Sequence, residues 1–310
     1  MILTVTPNPC VDKTVFLEAM AVGKKNVCHR VTTIPGGKGN NVARAVKALG
    51  EHSASVVLVG GAPGQHVVDM ITGQDELECH PVWIAENTRT ITTVLEEGPH
   101  RQTPLFEPGP RVMGTEKERL IDEVRLRLGS TDILTLNGTV PDPALQDVYR
   151  TLTSLARGQG VTVILDTHGP ELALGLEAAP YMVKPNDAEA AELVGYPLDT
   201  DAARWRAIDW FHGKGVTLVV LSLGPDGVFV SDGQERLHVK PPSIEEINAV
   251  GSGDSLVAGF AVGLLRKWPL EQCAVLGVSA GTVNAMRWDI GHVTQAEVEQ
   301  IAPRVTVLRH

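Results

Sequence analysis

Short apolar runs that alternate with helical patterns constrain the fold of this chain more than any other feature. Four runs of five residues are largely apolar on both faces of a strand, at 55–59, 132–136, 161–165 and 217–221. Helical patterns lie between them, at 117–127, 144–156 and 202–211. Strands with two apolar faces are typical of a parallel sheet that helices cover on both sides. The alternation therefore predicts an α/β fold with a mainly parallel central sheet, right-handed βαβ units and ligands at the carboxyl ends of the strands.

Two segments interrupt this alternation, at 13–33 and 88–106. Within the second, the stretch from Thr90 to Leu95 alternates or runs apolar, and no helical pattern follows it. We interpret the two segments as a small β-sheet lid that projects from the main part of the chain. Because neither an internal repeat nor a low-complexity linker is visible, we expect residues 1–310 to form a single domain into which this lid is inserted.

The bulk properties of the chain exclude several classes of function. The net charge is −10 and no basic stripe is present, which argues against a nucleic-acid partner. No apolar run reaches the length of a membrane span, and the N-terminus lacks the charged region of a secretion signal. The four cysteines are too widely separated for a zinc site or a disulfide scaffold. We therefore expect reduced thiols, no membrane association and a cytoplasmic location.

The segment from Gly251 to Ser255 is the first candidate site. Its two glycines lack a Cβ and precede a helical apolar run, so an anion can approach unpaired amides at the positive end of a helix dipole. Asp254 would repel that anion unless its carboxylate has a task, such as accepting the proton of an attacking hydroxyl. The segment thus favours phosphoryl transfer. A plain loop in which an aspartate or a serine caps a buried helix explains the same residues equally well.

A second glycine cluster at 35–41 also leads into a helical pattern. Val42, Ala45, Val46 and Leu49 recur at helical spacing, and Gly50 is the expected C-terminal glycine. The cluster is not a P-loop, because Gly39 follows Lys38 where serine or threonine is required, and it does not match the dinucleotide fingerprint either. Its alternative interpretation is a turn with a solvated lysine.

Seven motifs in this order resemble the ribokinase-like (phosphofructokinase B) family of sugar kinases. They cover nearly the whole chain and lie at 8–12, 36–45, 88–90, 107–110, 184–189, 222–227 and 251–255. The resemblance implies a ribokinase-like fold and a kinase that uses ATP and Mg²⁺. Within the family, three of the motifs are most similar to the branch that acts on ketohexose phosphates, which contains 1-phosphofructokinases, tagatose-6-phosphate kinases and the minor type of 6-phosphofructokinase.

The resemblance also assigns residues to the sugar phosphate. Asp12 matches an aspartate that hydrogen-bonds sugar hydroxyls, and Arg89 matches an arginine that holds the phosphate already on the sugar. Lys24 and Lys38 are candidates for a second cation at that phosphate, and each could instead be a solvated surface lysine. The other sugar-binding residues that the resemblance implies are Gly36, Gly37, Asn41 and Thr139.

On the nucleotide side, the resemblance implies contacts from six residues, which are Lys184, Asn186, Ser222, Gly224, Gly227 and Asn284. Asn186 and Glu189 match a motif that organises Mg²⁺ near the triphosphate, with Glu189 acting through water. The same pair has the spacing of a helix capping box, and both roles can hold together.

These assignments imply transfer of the ATP γ-phosphate to a primary hydroxyl, with Asp254 as the base. The amides of Gly251, Ser252 and Gly253 would stabilise the transferred group together with Mg²⁺ and Lys38. Fructose-1-phosphate is the first acceptor expected, and tagatose-6-phosphate and fructose-6-phosphate are the alternatives. A nucleoside or free-sugar kinase would not need Arg89, and a non-catalytic sugar-phosphate sensor would not need Asp254. The apolar content of the lid segments and the resemblance together predict a homodimer formed through the lid.

Overall fold

The computed structural model describes all 310 residues and contains two β-sheets. The large sheet has ten strands in the spatial order β14-β13-β12-β11-β10-β9-β8-β1-β4-β5. Its strands are β1 (Ile2–Thr6), β4 (Ser53–Val59), β5 (Glu78–Trp83), β8 (Ile133–Asn137), β9 (Thr162–Asp166), β10 (Met182–Val183), β11 (Leu218–Ser222), β12 (Val228–Ser231), β13 (Arg236–Lys240) and β14 (Thr306–Arg309). The seven strands from β11 to β5 pair in parallel, so the predicted α/β class is confirmed.

The sequence analysis did not anticipate the antiparallel edge of the large sheet. Strands β12, β13 and β14 pair antiparallel with one another, and β12 pairs antiparallel with β11. All three strands are only four or five residues long; β12 and β13 follow β11 after short turns, whereas β14 returns to this edge from the end of the chain. Periodicity over such short runs is a weak signal, and the chain order alone does not reveal which sheet edge they extend.

Ten α-helices accompany the sheets. They are α1 (Lys38–Ala48), α2 (Gly61–Gly73), α3 (Gly114–Arg127), α4 (Val148–Gly158), α5 (Gly169–Leu176), α6 (Asp187–Val194), α7 (Asp201–Gly213), α8 (Ser252–Leu265), α9 (Leu270–Ala285) and α10 (Gln295–Ile301). Helices α3 to α7 cover one face of the large sheet, and α1, α8, α9 and α10 cover the other. Successive strand residues point into opposite layers, as Ile133 and Leu134 do in β8.

The predicted helices exist, with shifted ends. The helix predicted at 144–156 begins only at Val148, because Pro143 and the Asp142 side chain, which accepts from the Ala144 amide, form a separate 3-10 turn first. Helix α1 begins at Lys38, inside the glycine cluster, and ends at Ala48; Gly50 follows two residues later with a φ of +87°, which permits the reversal that a side chain would oppose.

The small sheet is formed by the two segments that interrupted the alternation, and the first extends to 10–36, beyond the predicted 13–33. Its order is β3-β2-β6-β7, with β2 (Cys10–Leu17), β3 (Arg30–Gly36), β6 (Arg89–Glu96) and β7 (Arg101–Phe106). Strands β2 and β6 run parallel in the centre, and β3 and β7 form the two edges. Residues 18–29 connect β2 to β3 and are exposed. None of the ten helices is long and apolar enough to cross a membrane.

Helices α8 and α9 approach each other through glycines, and this contact should be sensitive to a single methyl group. A Cβ on Gly259 of α8 would lie 2.5 Å from Cα of Gly277 on α9, so the two helices would have to separate. We expect Gly259→Ala to lower the free energy of unfolding by about 1–3 kcal/mol, the usual cost of overpacking. Urea unfolding followed by circular dichroism measures this change.

Gly158→Ala is the matched control, because a Cβ on this glycine of α4 would meet no atom within 4 Å. That variant should leave the free energy of unfolding unchanged or raise it slightly. Equal stabilities of the two variants would contradict the proposed backbone contact between α8 and α9.

Candidate active site

A single large cleft of about 1160 Å³ lies between the small sheet and the carboxyl ends of the parallel strands. Both glycine clusters reach it, through Gly37 and Lys38 on one side and through Gly251 to Asp254 on another. Parallel strands deliver loop residues to one edge, so residues far apart in the chain meet there. The cleft is where the sequence analysis expected the ligands.

Helix α8 begins at Ser252 without a side-chain cap, which excludes the interpretation of the segment as a simple capped helix. Gly251 has a φ of +83°, and a Cβ on it would lie 2.4 Å from Cγ2 of Ile290, so only glycine fits. The Ser252 amide donates to the Ala249 carbonyl at 3.1 Å and is not free for an anion. The amides without a backbone acceptor are those of Gly251, Gly253 and Asp254, so the expected use of Ser252 is corrected.

Asp254 lies in the first turn of α8 with only 5% of its surface exposed. Asn41 Nδ2, on α1, donates to its Oδ2 at 2.7 Å. Burial raises the pKa of Asp254 to about 6, and the negative charge of Asp166 adds to this rise. The pKa is lowered by the cations Lys38 and Lys184 and by the hydrogen bond from Asn41, so the rise caused by burial is partly offset.

Asp166 is a site residue that the sequence analysis missed. It is the last residue of β9 and 1% exposed, and its carboxylate lies 3.0 Å from Lys184 Nζ and 3.8 Å from Lys38 Nζ. Burial by itself would raise the pKa of Asp166, but Lys184 and Lys38 outweigh it and hold the pKa below its ordinary value. In turn, Asp166 raises the pKa of Lys38. The available signal was an aspartate that directly follows a predicted parallel strand.

Asn137, to which the sequence analysis assigned no role, lies at the end of the neighbouring strand β8 and in register with Asp166. It lines the cleft and is 1% exposed, yet neither atom of its amide has a hydrogen-bond partner. Buried amides normally have partners, so this one is available to a ligand or to water.

On the other side of the cleft, Asp12 of β2 and Arg89 of β6 face inwards. Burial raises the pKa of Asp12, and the charge of Arg44 opposes the rise. Arg89 has a buried Nε without a partner, and its Nη2 makes one long bond of 3.5 Å to the Asn8 carbonyl. A guanidinium with spare donors in a cleft suits an anion. Thr139 also lines the cleft and accepts from Asn8 Nδ2 at 3.4 Å.

The two glycines expected at the sugar have different positions. Gly37 lines the cleft and has a φ of +119°. Gly36 does not line it; a Cβ there would lie 2.5 Å from Sγ of Cys10 and 2.9 Å from Cβ of Asp12. Gly36 therefore permits β3 to pack against β2 behind the cleft, and the expected close approach to a sugar is corrected.

The residues assigned to the nucleotide mostly line the same cleft. They are Lys184, Asn186, Glu189, Ser222, Gly224 and Gly227. The capping box is present as well: the Asn186 amide donates to Glu189 Oε2 and the Glu189 amide donates to Asn186 Oδ1, each at 2.8 Å. One carboxylate oxygen of Glu189 is thus occupied in holding the start of α6.

Besides Gly36, two assigned residues do not line the cleft. Asn284 of α9 is buried behind the glycine loop, where its Nδ2 donates to the Val250 carbonyl at 2.8 Å and its Oδ1 accepts from the Gly291 amide at 2.7 Å. It supports the two loops from behind, and its side chain does not line the cleft. Lys24 lies in the exposed connection between β2 and β3 and does not line the cleft of its own chain.

Comparison with known proteins agrees with this geometry. The model of the pfkB family carbohydrate kinases matches residues 5–287. Tagatose-6-phosphate kinase from Staphylococcus epidermidis is 30% identical over 311 residues, which cover 99% of each chain. The crystal structure of phosphofructokinase-2 from Escherichia coli in complex with fructose-6-phosphate superposes with a TM-score of 0.87 at 27% identity, over 98% of each chain. A Thermotoga maritima protein, described as a "possible 1-phosphofructokinase", shares the fold with a TM-score of 0.89 at 22% identity, over 100% of this chain and 99% of that one.

Proposed function

This chain belongs to the pfkB family of carbohydrate kinases, and from this premise we propose that it transfers the γ-phosphate of ATP to the free primary hydroxyl of a ketohexose monophosphate. One observation carries the proposal. A single cleft is lined both by Arg89, which has unused guanidinium donors, and by the glycine start of α8, which holds Asp254 and free amides. A substrate that already bears one phosphate and receives another needs two such anion sites.

Asp254 acts as the general base in this proposal. A carboxylate whose pKa is about 6 is mostly ionised at pH 7, and it is more basic than an ordinary aspartate. It accepts the proton of the sugar hydroxyl as the phosphoryl group moves. The free amides of Gly251 and Gly253, together with Lys38 at the cleft wall, stabilise the charge on the transferred oxygens.

Magnesium fits the residues at the nucleotide side. No three carboxylates, histidines or cysteines form a cage of their own, which suits an ion that keeps several waters and binds mainly to phosphates. Glu189 would hold it through water, and the unpartnered amide oxygen of Asn137 is a further donor in the cleft. When bound, the ion neutralises charge on the triphosphate.

The acceptor is proposed as a class with three members. Fructose-1-phosphate is first by the motifs, and the names of the relatives add tagatose-6-phosphate and fructose-6-phosphate. All three carry a phosphate at one end and a free primary hydroxyl at the other, so one site geometry serves them. A nucleoside or free-sugar kinase would leave the spare donors of Arg89 without a task.

An ATP-dependent reaction and four unpaired cysteines also support a cytoplasmic location.

Removing the base should abolish most turnover while leaving binding intact. We expect Asp254→Asn to lower kcat by about 10²- to 10⁴-fold, with ATP affinity largely kept. In the unchanged enzyme, kcat should fall as the pH is lowered through about 6, because protonation of Asp254 removes the acceptor. Stopped-time assays of ADP release over a pH series measure both effects.

The exposed Asp69 on α2 provides the control, and Asp69→Asn should retain full turnover. Near-normal turnover in Asp254→Asn would exclude this residue as the base.

The substrate class is tested by ADP release from ATP with ketoses that differ only in carrying a phosphate. We expect release with the phosphorylated sugars. Arg89→Ala should lower kcat/KM for them by about 10- to 100-fold, the worth of charged hydrogen bonds, and should change the value for free ketoses little. The ratio of kcat/KM for phosphorylated ketoses to kcat/KM for free ketoses should therefore fall.

Arg125→Ala, which removes an exposed arginine from α3, is the control for a general loss of positive charge. If Arg89→Ala changes neither kcat nor KM for any sugar phosphate, the phosphate is held elsewhere.

We also propose that the small sheet is a lid through which two copies associate. Val31 on β3 and Leu105 on β7 lie on the face away from the cleft and are 51% and 56% exposed, on the two edge strands. Exposed apolar residues on open sheet edges favour pairing with a second sheet.

A charge on that face should prevent association. We expect a dimeric mass by light scattering at micromolar concentration and a monomeric mass for the double variant Val31→Glu, Leu105→Glu, with weaker binding of the sugar phosphate because the lid is less ordered. Leu126→Glu, at an exposed leucine of α3, is the control that should stay dimeric. A dimer that tolerates the double variant would place the interface elsewhere.

A further inference from the structure

Arg44 of α1 uses all five of its N–H donors inside the protein. It is 6% exposed. Nε and Nη2 donate to the two carboxylate oxygens of Asp75 at 3.0 and 2.8 Å. Nη2 also donates to the Pro35 carbonyl at 3.1 Å, and Nη1 donates to Asn41 Oδ1 at 3.2 Å and to the Ile290 carbonyl at 2.9 Å. A guanidinium has no further donor, so its position is fully determined.

The bond to Asn41 decides how that amide is oriented. A guanidinium only donates and an ionised carboxylate only accepts. Asn41 therefore presents its oxygen to Arg44 and its NH₂ group to Asp254, at 2.7 Å. Without Arg44, rotation of the amide by half a turn would bring its oxygen against the carboxylate of Asp254 instead.

Two other bonds of Arg44 reach the loops that form the cleft. The Pro35 carbonyl directly precedes the glycines that lead into α1. The Ile290 side chain lies where a Cβ of Gly251 would be, so it packs onto the glycine loop at the start of α8. One side chain thus connects the loop of the first glycine cluster with the segment at Ile290 that packs on the second.

Asp75 holds Arg44 from outside the cleft. It follows α2, which packs against β2 and β3 of the small sheet, and its carboxylate is almost completely buried in a two-pronged ion pair. Arg44 and Asp75 do not line the cleft, so neither has a direct part in binding a ligand.

We propose that Arg44 is a positioning residue for phosphoryl transfer: through Asn41 it orients the hydrogen bond to Asp254, and through Ile290 it holds the glycine loop at the start of α8. This inference rests on the proposed function, because the step it serves is the proton transfer to Asp254. Asp75 is the support that keeps the guanidinium in place.

The charges around both ends of this network define its response to pH. The groups that act on Asp254 are Lys38 of α1, Asp166 of β9 and Lys184 after β10. Arg44 forms an ion pair with Asp75, and its charge lowers the pKa values of Asp12 and His292. Loss of the donated bond from Asn41 removes a stabilisation of the Asp254 carboxylate and leaves the effect of burial, so the acid limb of the pH–rate profile should move to higher pH.

The test compares Arg44→Lys with Arg266→Lys. Arg266 lies at the far end of α8 and ties it to the end of α1 through Glu51 and the Leu49 carbonyl, so it reports on helix packing alone. We expect Arg44→Lys to lower kcat by about 10- to 100-fold with little change in the KM for ATP, and to shift the acid limb upwards. Arg266→Lys should lower the melting temperature without moving the pH profile.

A double-mutant cycle with Asn41→Ala identifies the route of the effect. If Arg44 acts mainly through Asn41, then Arg44→Lys should cost much less kcat in the Asn41→Ala background than in the unchanged protein. The proposal would be overturned if the fold-loss of kcat in the double variant equalled the product of the fold-losses in the two single variants. An unmoved pH profile in Arg44→Lys would also overturn it. Should Arg44→Lys fail to fold, Asp75→Asn loosens the same guanidinium more gently and must give the same upward shift.

A further measurement separates this inference from the proposed function. The pKa of the Asp254 carboxyl can be followed by ¹³C NMR in aspartate-labelled protein without any substrate. If no phosphorylated ketose yields ADP, the proposed function fails, whereas a rise of this pKa in Arg44→Lys still supports the positioning role. An unchanged pKa in active protein would overturn the positioning role alone.

Discussion

The burial of charged side chains at the base of the cleft is the constraint on which the rest of the site depends. Asp166 and Asp254 are almost completely buried, and the ammonium groups of Lys38 and Lys184 lie close to them. Removing such charges from water is costly unless opposite charges and hydrogen bonds replace the lost hydration. The two neighbouring carboxyl groups therefore have different pKa values: that of Asp166 is lowered, and that of Asp254 rises to about 6.

The topology of the large sheet supplies the groups that meet this constraint. Parallel pairing brings the carboxyl ends of β8 and β9 together, so Asn137 and Asp166 are in register. Lys184 follows β10, which is the next strand in the sheet after β9. Lys38 and Asp254 lie in the first turns of α1 and α8, two helices that cover the same face of the sheet. Each group is therefore carried by an element whose own core packing fixes its position.

Glycines serve two different purposes around this site. Gly251 and Gly37 have backbone angles that side chains oppose, and both lie at the cleft, where backbone amides must be accessible to an anion. Gly36 and Gly259 instead remove side chains where protein segments meet, the first between β3 and β2 and the second between α8 and α9. Glycines of the second kind allow α8 and α9, and β2 and β3, to pack closely, although neither Gly36 nor Gly259 lines the cleft.

Patterns local in the chain determined the α/β class, the small sheet and the two glycine loops, because periodicity and the absence of a Cβ act over a few residues. The family motifs likewise identified Asp12, Arg89 and Asp254 as residues of one cleft. Only the tertiary structure revealed Asp166, the unpartnered amide of Asn137 and the use of Arg44, and it placed Gly36, Asn284 and Lys24 outside the cleft. Those outcomes depend on which strand ends are neighbours, on which amides already have acceptors and on how deeply a carboxylate is buried. Such quantities arise from contacts between residues 30 to 250 positions apart, as between Arg44 and Asp75 or Arg44 and Ile290, which are 31 and 246 positions apart, and no local pattern encodes them.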